Sequence, residues 1–300
     1  MTTLLVSIII PTYNRSDVLE RTLLAFLNQQ CASAVLEVIV VDDGSTDDTP
    51  SILARISASD RRVRVIRQAN RGPAAARNAG IRESRGILVL FGGDDVVPAS
   101  HLVETHVHAH ARHADAPVAV LGYITWSREL EITPFMQWLE SDGMQFGFSS
   151  IRDREDVPSE MFYSSNISVR RDFLLSGELF DEGFTAACWE DVDLGLRLRK
   201  RGLRIIYEQD AIGHHVHRTD FDRFARRTKT AGYFRAMLVK KHGLAEKKKV
   251  FVREVTKWIC GTLMRVFGRG RLRRLGYRWS LSWHEYVGMK KFTQKKDHRF

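Results

Sequence analysis

Short apolar runs, separated by polar turns and amphipathic stretches, mark the first half of the chain. Val6–Ile10, Glu37–Val41, Val63–Ile66 and Ile87–Phe91 are largely aliphatic and rich in β-branched residues. Runs of this length predict strands buried on both faces, as in a parallel sheet. Between them Asp17–Gln29, Asp47–Ser57 and Pro73–Glu83 carry helical spacing. This alternation predicts an α/β fold with a mostly parallel central sheet and helices on both faces. A further strand is expected at Val118–Gly122, after Pro117. The stretch from there to Pro158 is rich in Trp, Phe, Met and Gly but has no clear period. It reads equally as loops over a pocket or as irregular packing. Regularity returns with a strand at Asn166–Arg170, a helix at Glu190–Arg201 closed by Gly202, and a strand at Leu203–Tyr207.

Three hundred residues suit one large α/β domain with an appendage, and 44% hydrophobic content supports a real core rather than general disorder. Cys31, Cys188 and Cys260 are too widely spaced for a zinc or disulfide pattern, so they read as free thiols in a reducing compartment. No basic leader with a cleavage site precedes the first strand, and no apolar segment reaches the roughly 20 residues that span a bilayer. A cytoplasmic protein is expected. Charge is uneven, with 22 Lys and Arg against 30 Asp and Glu in residues 1–217, but 24 against 6 in residues 218–300. The expected division is therefore a domain over 1–217 and a basic, helical extension over 218–300. Such a basic tail points to an anionic partner, either a membrane or a nucleic acid.

Two strand ends carry paired acids. Val38–Val41 runs into Asp42-Asp43 and then Gly44-Ser45-Thr46-Asp47, and Val89–Phe91 runs into Gly92-Gly93-Asp94-Asp95. Ligands of open α/β sheets bind at the carboxyl ends of strands, where these acids would sit. Ser45, Thr46 or Asp47 would cap the next helix, which leaves the paired acids unexplained. Adjacent carboxylates there make a hard-oxygen site suited to Mg²⁺ or Mn²⁺ bound to phosphates. Glu190, Asp191 and Asp193 suit a helix N-terminus on electrostatic grounds alone. His101, His106, His108, His110 and His113 fall on an expected exposed helix and read as a solvated face, with metal binding by the helically spaced His106, His110 and His113 as the alternative.

Taken in order, several segments resemble the family-two glycosyltransferases, which have the GT-A fold. The resemblance begins at Val6–Arg15, with Pro11-Thr12-Tyr13-Asn14, and continues through Asp42–Asp47 and Asn70–Asn78. It then takes in Gly93-Asp94-Asp95, Phe180-Asp181-Glu182 and Trp189–Asp193, and spans about residues 5–220. It implies an inverting enzyme that moves a sugar from a nucleotide-sugar donor, most simply a UDP-sugar, to a hydroxyl of a glycan or lipid-linked acceptor in polysaccharide or glycolipid synthesis. Pro11, Thr12 and Tyr13 would lie along the base, Asp43 would bond the uracil, and Arg71, Arg77 and Asn78 would line the nucleotide and its phosphates. For Arg77 a plain helix-surface arginine remains an alternative. Asp94, with Asp95 beside it, would contact nucleotide and metal, and His215 or His217 would complete the metal shell. Many members carry an acid where this chain has Gly92, so contacts from that position are in doubt. Asp191 would be the catalytic base, with Glu190 and Trp189 facing the acceptor, although an ordinary core tryptophan is an equal reading of Trp189. A non-catalytic scaffold that keeps the fold and binds anions through its tail is the alternative function.

In that tail Phe251, Val255, Trp258, Ile259, Leu263 and Phe267 recur at helical spacing, with Lys249, Arg253 and Lys257 interleaved and a basic run over 268–274. Residues 247–274 therefore suit an anionic membrane surface. Packing on the acidic domain is the other reading, and no recognised nucleic-acid module is present.

Overall fold

The computed structural model describes residues 4–245 and 251–297. Its first elements are β1 (Leu4–Thr12), α1 (Leu19–Leu27), β2 (Ala34–Asp42), α2 (Thr49–Ser59), β3 (Val63–Arg67), α3 (Pro73–Glu83) and β4 (Leu88–Gly92). They continue through β5 (Val96–Pro98), α4 (Leu102–Arg112), β6 (Val118–Trp126), α5 (Pro134–Ser141), β7 (Asn166–Arg170), α6 (Arg171–Leu175), α7 (Glu190–Lys200) and β8 (Arg204–His215). Then come α8 (Phe221–His242), α9 (Phe251–Phe267) and α10 (Arg271–Asp297).

The strands form an eight-stranded sheet ordered β3-β2-β1-β4-β7-β6-β8-β5. β1, β2, β3 and β4 are parallel, as are β6 and β8, whereas β7 is antiparallel to both its neighbours and β5 is antiparallel to β8. The mostly parallel α/β sheet expected from the apolar runs is present. Alternate residues of one strand serve opposite faces. Ile8 and Ile10 pack with Leu23, Phe26, Leu53 and Val103. Ile9 and Phe91 pack with Ala74, Ile81, Leu194 and Leu198 on the other side. Both faces are covered, which is why these strands carry so few polar positions. Each such buried Leu or Ile contributes roughly 1.5–3 kcal/mol.

The chain divides into two compact units. One runs through Ile132 and resumes over Leu139–Arg218, and the other joins Thr133–Trp138 to the segment from Thr219 onward. The first unit holds the sheet. In the second, Phe135 and Trp138 pack on Tyr277, with ring centroids 5.0 and 5.2 Å apart. The aperiodic stretch after β6 thus includes a short helix, α5. Within the tail, residues 247–250 of the expected amphipathic segment lie outside the described residues.

Two local expectations are corrected. The helix after β2 starts at Thr49, so its cap position is Asp48, whose side chain makes no cap bond, while Asp47 Oδ1 accepts the Thr49 N–H at 3.0 Å and Ser45 and Thr46 are used elsewhere. The histidines of α4 are not all solvated, because His106 and His110 are buried. Ser168 Oγ lies 2.8 Å from His106 Nδ1 and 2.9 Å from His110 Nε2, and Asn166 Oδ1 lies 3.0 Å from His106 Nε2. Periodicity alone cannot assign these polar residues to a buried face, because their partners come from β7, some sixty positions later.

Burial holds both imidazoles neutral, lowering His106 from 6.5 to about 4 and His110 to about 3, the latter helped by repulsion from His106. Above pH 6.5 neither group binds protons in either state, so their stabilisation is intact. As pH falls below 6.5 the unfolded chain takes up protons first, and stability is lost progressively towards pH 4 and 3. By pH 5 each histidine should remove about 2 kcal/mol. His110→Gln should therefore shrink the loss in urea-unfolding free energy between pH 7 and 5 by about that amount. An unchanged loss would contradict the assignment.

Candidate active site

Thr12 pairs opposite Asp42, and Ile9 opposite Phe91, so the carboxyl ends of β1, β2 and β4 meet at one edge of the sheet. The loops that leave these ends are bonded to one another. Ser45 Oγ accepts the Asn14 N–H at 2.9 Å, Asn14 Oδ1 accepts from Thr46 N at 2.8 Å, and Thr49 Oγ1 accepts from Arg15 N at 3.0 Å. Asp47 Oδ2 accepts from Ser16 N at 3.1 Å. The two motifs hold each other, and Asn14 takes a left-handed backbone (φ 52°) to do so. Asn is among the few residues that tolerate this region.

Asp43 fixes the third loop. Its Oδ1 accepts from Gln68 Nε2 (2.7 Å) and Arg71 N (2.9 Å), and its Oδ2 from Gly72 N (2.8 Å). A carboxylate offers about four acceptor sites, so a base contact would share Asp43 with this loop. Gly72 has φ 90°, and a Cβ there would lie 2.6 Å from the Thr185 carbonyl oxygen. Only glycine fits, and Pro73 then starts α3. Pro11 and Thr12 are buried at the end of β1, whereas Tyr13 projects, 46% exposed.

Asp94 and Asp95 follow β4. Burial and the Asp95 charge raise Asp94 well above the ordinary carboxylate range, while Arg15 opposes the shift. Arg15 Nε lies 3.5 Å from Asp94 Oδ2, and its Nη2 lies 3.5 Å from Asp95 Oδ2. Pairing of Val96 with His215 in the β5–β8 ladder brings His215 Nε2 within 3.6 Å of Asp95 Oδ2. His217 Nδ1 lies 3.3 Å from Arg15 Nη1. Carboxylate oxygens and an imidazole nitrogen are a donor set that suits Mn²⁺ or Mg²⁺, and buried adjacent acids call for positive charge. Among the described residues no three acid, His or Cys side chains already close on one point, and Arg15 supplies the countercharge. Sequence reading gave Arg15 no role, although it directly follows the Pro-Thr-Tyr-Asn run. A Cβ on Gly92 would sit 2.9 Å from Phe26 Cζ, so α1 fills the space that an acid would need.

The acids at the start of α7 are sorted by their partners. Glu190 Oε1 accepts from Arg77 Nη1 at 2.8 Å with both groups buried, so Arg77 is no surface arginine. Asp193 is fully buried and paired with Arg197 at 2.8 Å. Asp191 is only partly buried, and its Oδ2 has long contacts from Ser164 N (3.4 Å) and Oγ (3.5 Å). Burial raises Asp191 above its usual range, Arg77 pulls the other way, and Glu190 is raised by burial and by Asp191. The Arg77 charge also opposes, weakly, the upward shift of Asp94. Among the described residues, Glu190 Oε2 and Arg77 Nε are buried with no hydrogen-bond partner. Trp189, just before α7, is strained in the left-handed region at φ 72°, a feature that concentrates at functional sites. Tyr163, adjoining Asp191, is pushed up to about 12 by burial and the Asp191 charge, and was not foreseen.

Asn78 is not part of this cluster. Its Nδ2 donates to Phe180 O (2.9 Å) and Glu182 Oε1 (3.0 Å), and its Oδ1 accepts from Phe180 N (2.9 Å). Both ends of the amide are bonded to the 180–182 loop, so Asn78 staples that loop to α3. Arg71 is exposed and pairs with Glu182.

The family model for glycosyl transferase family 2 matches residues 7–176, which include both strand-tip acid pairs. The chain belongs to glycosyl transferase family 2. The matched stretch stops short of Trp189–Asp193. Among curated family relatives, the uncharacterized glycosyltransferase YfnE of Bacillus subtilis is 30% identical over 254 residues, covering 70% of this chain and 64% of YfnE. Validoxylamine A glucosyltransferase of Streptomyces hygroscopicus subsp. jinggangensis is 31% identical over 233 residues, covering 70% of this chain and 54% of that protein. The chain thus spans between half and two thirds of these relatives. Two solved structures share the GT-A fold. The Pyrobaculum calidifontis mannosyltransferase PcManGT, in complex with GDP-Man and Mn²⁺, gives a TM-score of 0.65 at 18% identity, covering 97% of this chain and 87% of that one. S. aureus TarS in complex with UDP-GlcNAc gives 0.57 at 15%, covering 97% and 92%. A cavity of about 450 Å³ in this family member, lined by Pro117, Val118, Arg170 and Phe173, contains none of the acids above and lies away from the strand tips.

Removing Arg77 while Glu190 stays should leave a buried charge uncompensated. Arg77→Met is expected to cost about 3–5 kcal/mol in urea unfolding, and adding Glu190→Gln should recover much of it. Equal, additive losses would show that the pair is not coupled.

Proposed function

We propose that this protein is an inverting glycosyltransferase that uses a nucleotide-sugar, a UDP-sugar in the simplest reading, and a divalent cation. The observation that carries the proposal is the buried Arg77–Glu190 pair, which leaves the neighbouring Asp191 accessible, together with the Asp94–Asp95 pair held by Arg15 and His215 at the strand tip. Donor-bound solved structures of the same fold, one with GDP-Man and Mn²⁺ and one with UDP-GlcNAc, support the donor class.

In this reading Tyr13 covers the base beside Pro11 and Thr12, Asp43 holds the loop that frames it and shares a lone pair with it, and Arg71 reaches the phosphates. Asp94 and Asp95, with His215 and then His217, would hold Mg²⁺ or Mn²⁺. Bound there, the cation would stabilise charge on the diphosphate leaving group. Asp191 accepts the proton of an acceptor hydroxyl as that oxygen bonds to the anomeric carbon. The bond from that carbon to the diphosphate breaks, and the nucleoside diphosphate leaves with the electron pair. A single displacement inverts the anomeric centre. Asp191 suits this task because Glu190 is held by Arg77 and Asp193 by Arg197, which leaves one acid of the three accessible. Its raised affinity for protons also suits a general base. Trp189 beside it offers a ring to the acceptor, a hydroxyl of a glycan or lipid-linked sugar. Gly92, with Phe26 packed against it, is the feature that favours a non-catalytic scaffold.

The test is NMR of the product formed from a panel of UDP-sugars with Mn²⁺ and simple sugar acceptors. An α-configured donor should yield a β-linked product. Asp191→Asn should lower turnover by about 10²–10⁴ while UDP binding is retained. The acid limb of kcat/KM should fall at a pH above that of an ordinary carboxylate, since Asp191 must be deprotonated. A retained α-configuration, or near wild-type turnover by the Asn variant, would refute the mechanism. A chain that binds UDP yet turns over no donor would favour the scaffold.

A further inference from the structure

α9 has two unlike faces. One packs within the helical unit, where the buried Glu254 pairs with Lys257 at 2.8 Å and accepts from Ser282 Oγ at 2.6 Å, and the Trp258 ring lies tilted against Trp283 with centroids 6.0 Å apart. The other is apolar and open to solvent. Ile259, Leu263, Val266 and Phe267 are 49%, 55%, 54% and 80% exposed, Trp258 is 41% exposed, and Leu272 at the start of α10 adds another 55% exposed side chain. Positions 259, 263 and 266–267 recur at helical spacing and form one continuous stripe. An exposed stripe of this kind marks an interaction surface.

Charge identifies the partner. Arg253, Arg269, Arg271 and Arg274 are exposed at the ends of the stripe. From residue 251 to residue 284 the only acid is Glu254, which is buried. A second copy docked through this face would set the same arginines against each other, which costs free energy. A nucleic acid would meet the arginines but gains nothing from Ile259, Leu263 and Val266. An anionic bilayer satisfies both, because its headgroups meet arginine and its acyl boundary accepts aliphatic and aromatic side chains. Among the described residues no helix is long and apolar enough to cross a membrane, so α9 would lie in the interface.

We propose that the α9 stripe, with Leu272, seats the protein on an anionic phospholipid surface, independently of its catalytic chemistry. Vesicle flotation of the full chain tests this with phosphatidylglycerol–phosphatidylcholine vesicles and with phosphatidylcholine alone. Wild type should partition to the anionic vesicles. Leu263→Ser/Phe267→Ser, at exposed positions, should lower partitioning roughly 10- to 100-fold with unchanged circular dichroism. Arg269→Gln/Arg271→Gln/Arg274→Gln should lower it roughly 100-fold on anionic vesicles only. Three outcomes would overturn the proposal. They are wild-type binding by both variants, no vesicle binding with a dimer that Leu263→Ser/Phe267→Ser dissociates, and binding to oligonucleotides but not vesicles. None of these readouts depends on sugar transfer, so failure here leaves the catalytic reading untouched.

Discussion

A carboxylate taken out of water must find a donor or a cation, and this requirement shapes the site edge of the sheet. Asp42, Asp43, Asp94, Asp95, Glu190 and Asp193 are all buried or nearly so. Most are partnered from elsewhere in the chain, with Asp42 facing Arg67, while Asp193 is paired one turn along its own helix. Asp43 takes three donors from residues 68–72, Asp94 and Asp95 share Arg15, Glu190 takes Arg77, and Asp193 takes Arg197. Losing a partner in such a set costs several kcal/mol because the remaining charge is stranded. The loops are therefore held by the same charges that would do the chemistry.

This explains how rigid strands can carry a site made largely from loops. β1, β2 and β4 are fixed by apolar packing on both faces, and their ends are fixed relative to one another by register. The Asn14–Ser45–Thr46 clasp and the Asp43 cradle then transmit that order to residues 11–16 and 68–73. Arg77 carries it to α7, where Asp191, unlike Glu190 and Asp193, forms no ion pair among the described residues. Left-handed backbone at Asn14 and Trp189 flanks this arrangement.

Much of the fold was legible from local pattern. The runs at 6–10, 37–41 and 87–91 become strands because burial on both faces leaves few places for polar residues, whereas 63–66 forms the edge strand and alternates buried with exposed positions. α3 lies where Pro73 and the alanines of Ala74–Ala76 predicted it. β5, three residues long, and the antiparallel sense of β7 left no such signal, since both depend on pairing with distant strands. His106 and His110 looked solvated because their partners lie on β7. At the site the paired acids and the α7 acids stood out by residue type. The bonds of Asn78 to the 180–182 loop were not legible, because an amide beside an arginine fits a phosphate site as readily as it fits a loop staple. Arg15 and Tyr163 went unassigned because only the fold brings them to the acids.

The central claim is that the buried acids at the strand tips need a cation to admit a nucleoside diphosphate. Isothermal titration of UDP into the full chain, with and without Mn²⁺, tests it most directly when wild type and Asp94→Asn are compared. The account predicts binding heat for wild type only when Mn²⁺ is present, and its loss in Asp94→Asn. Binding of equal affinity in both proteins without metal would contradict it.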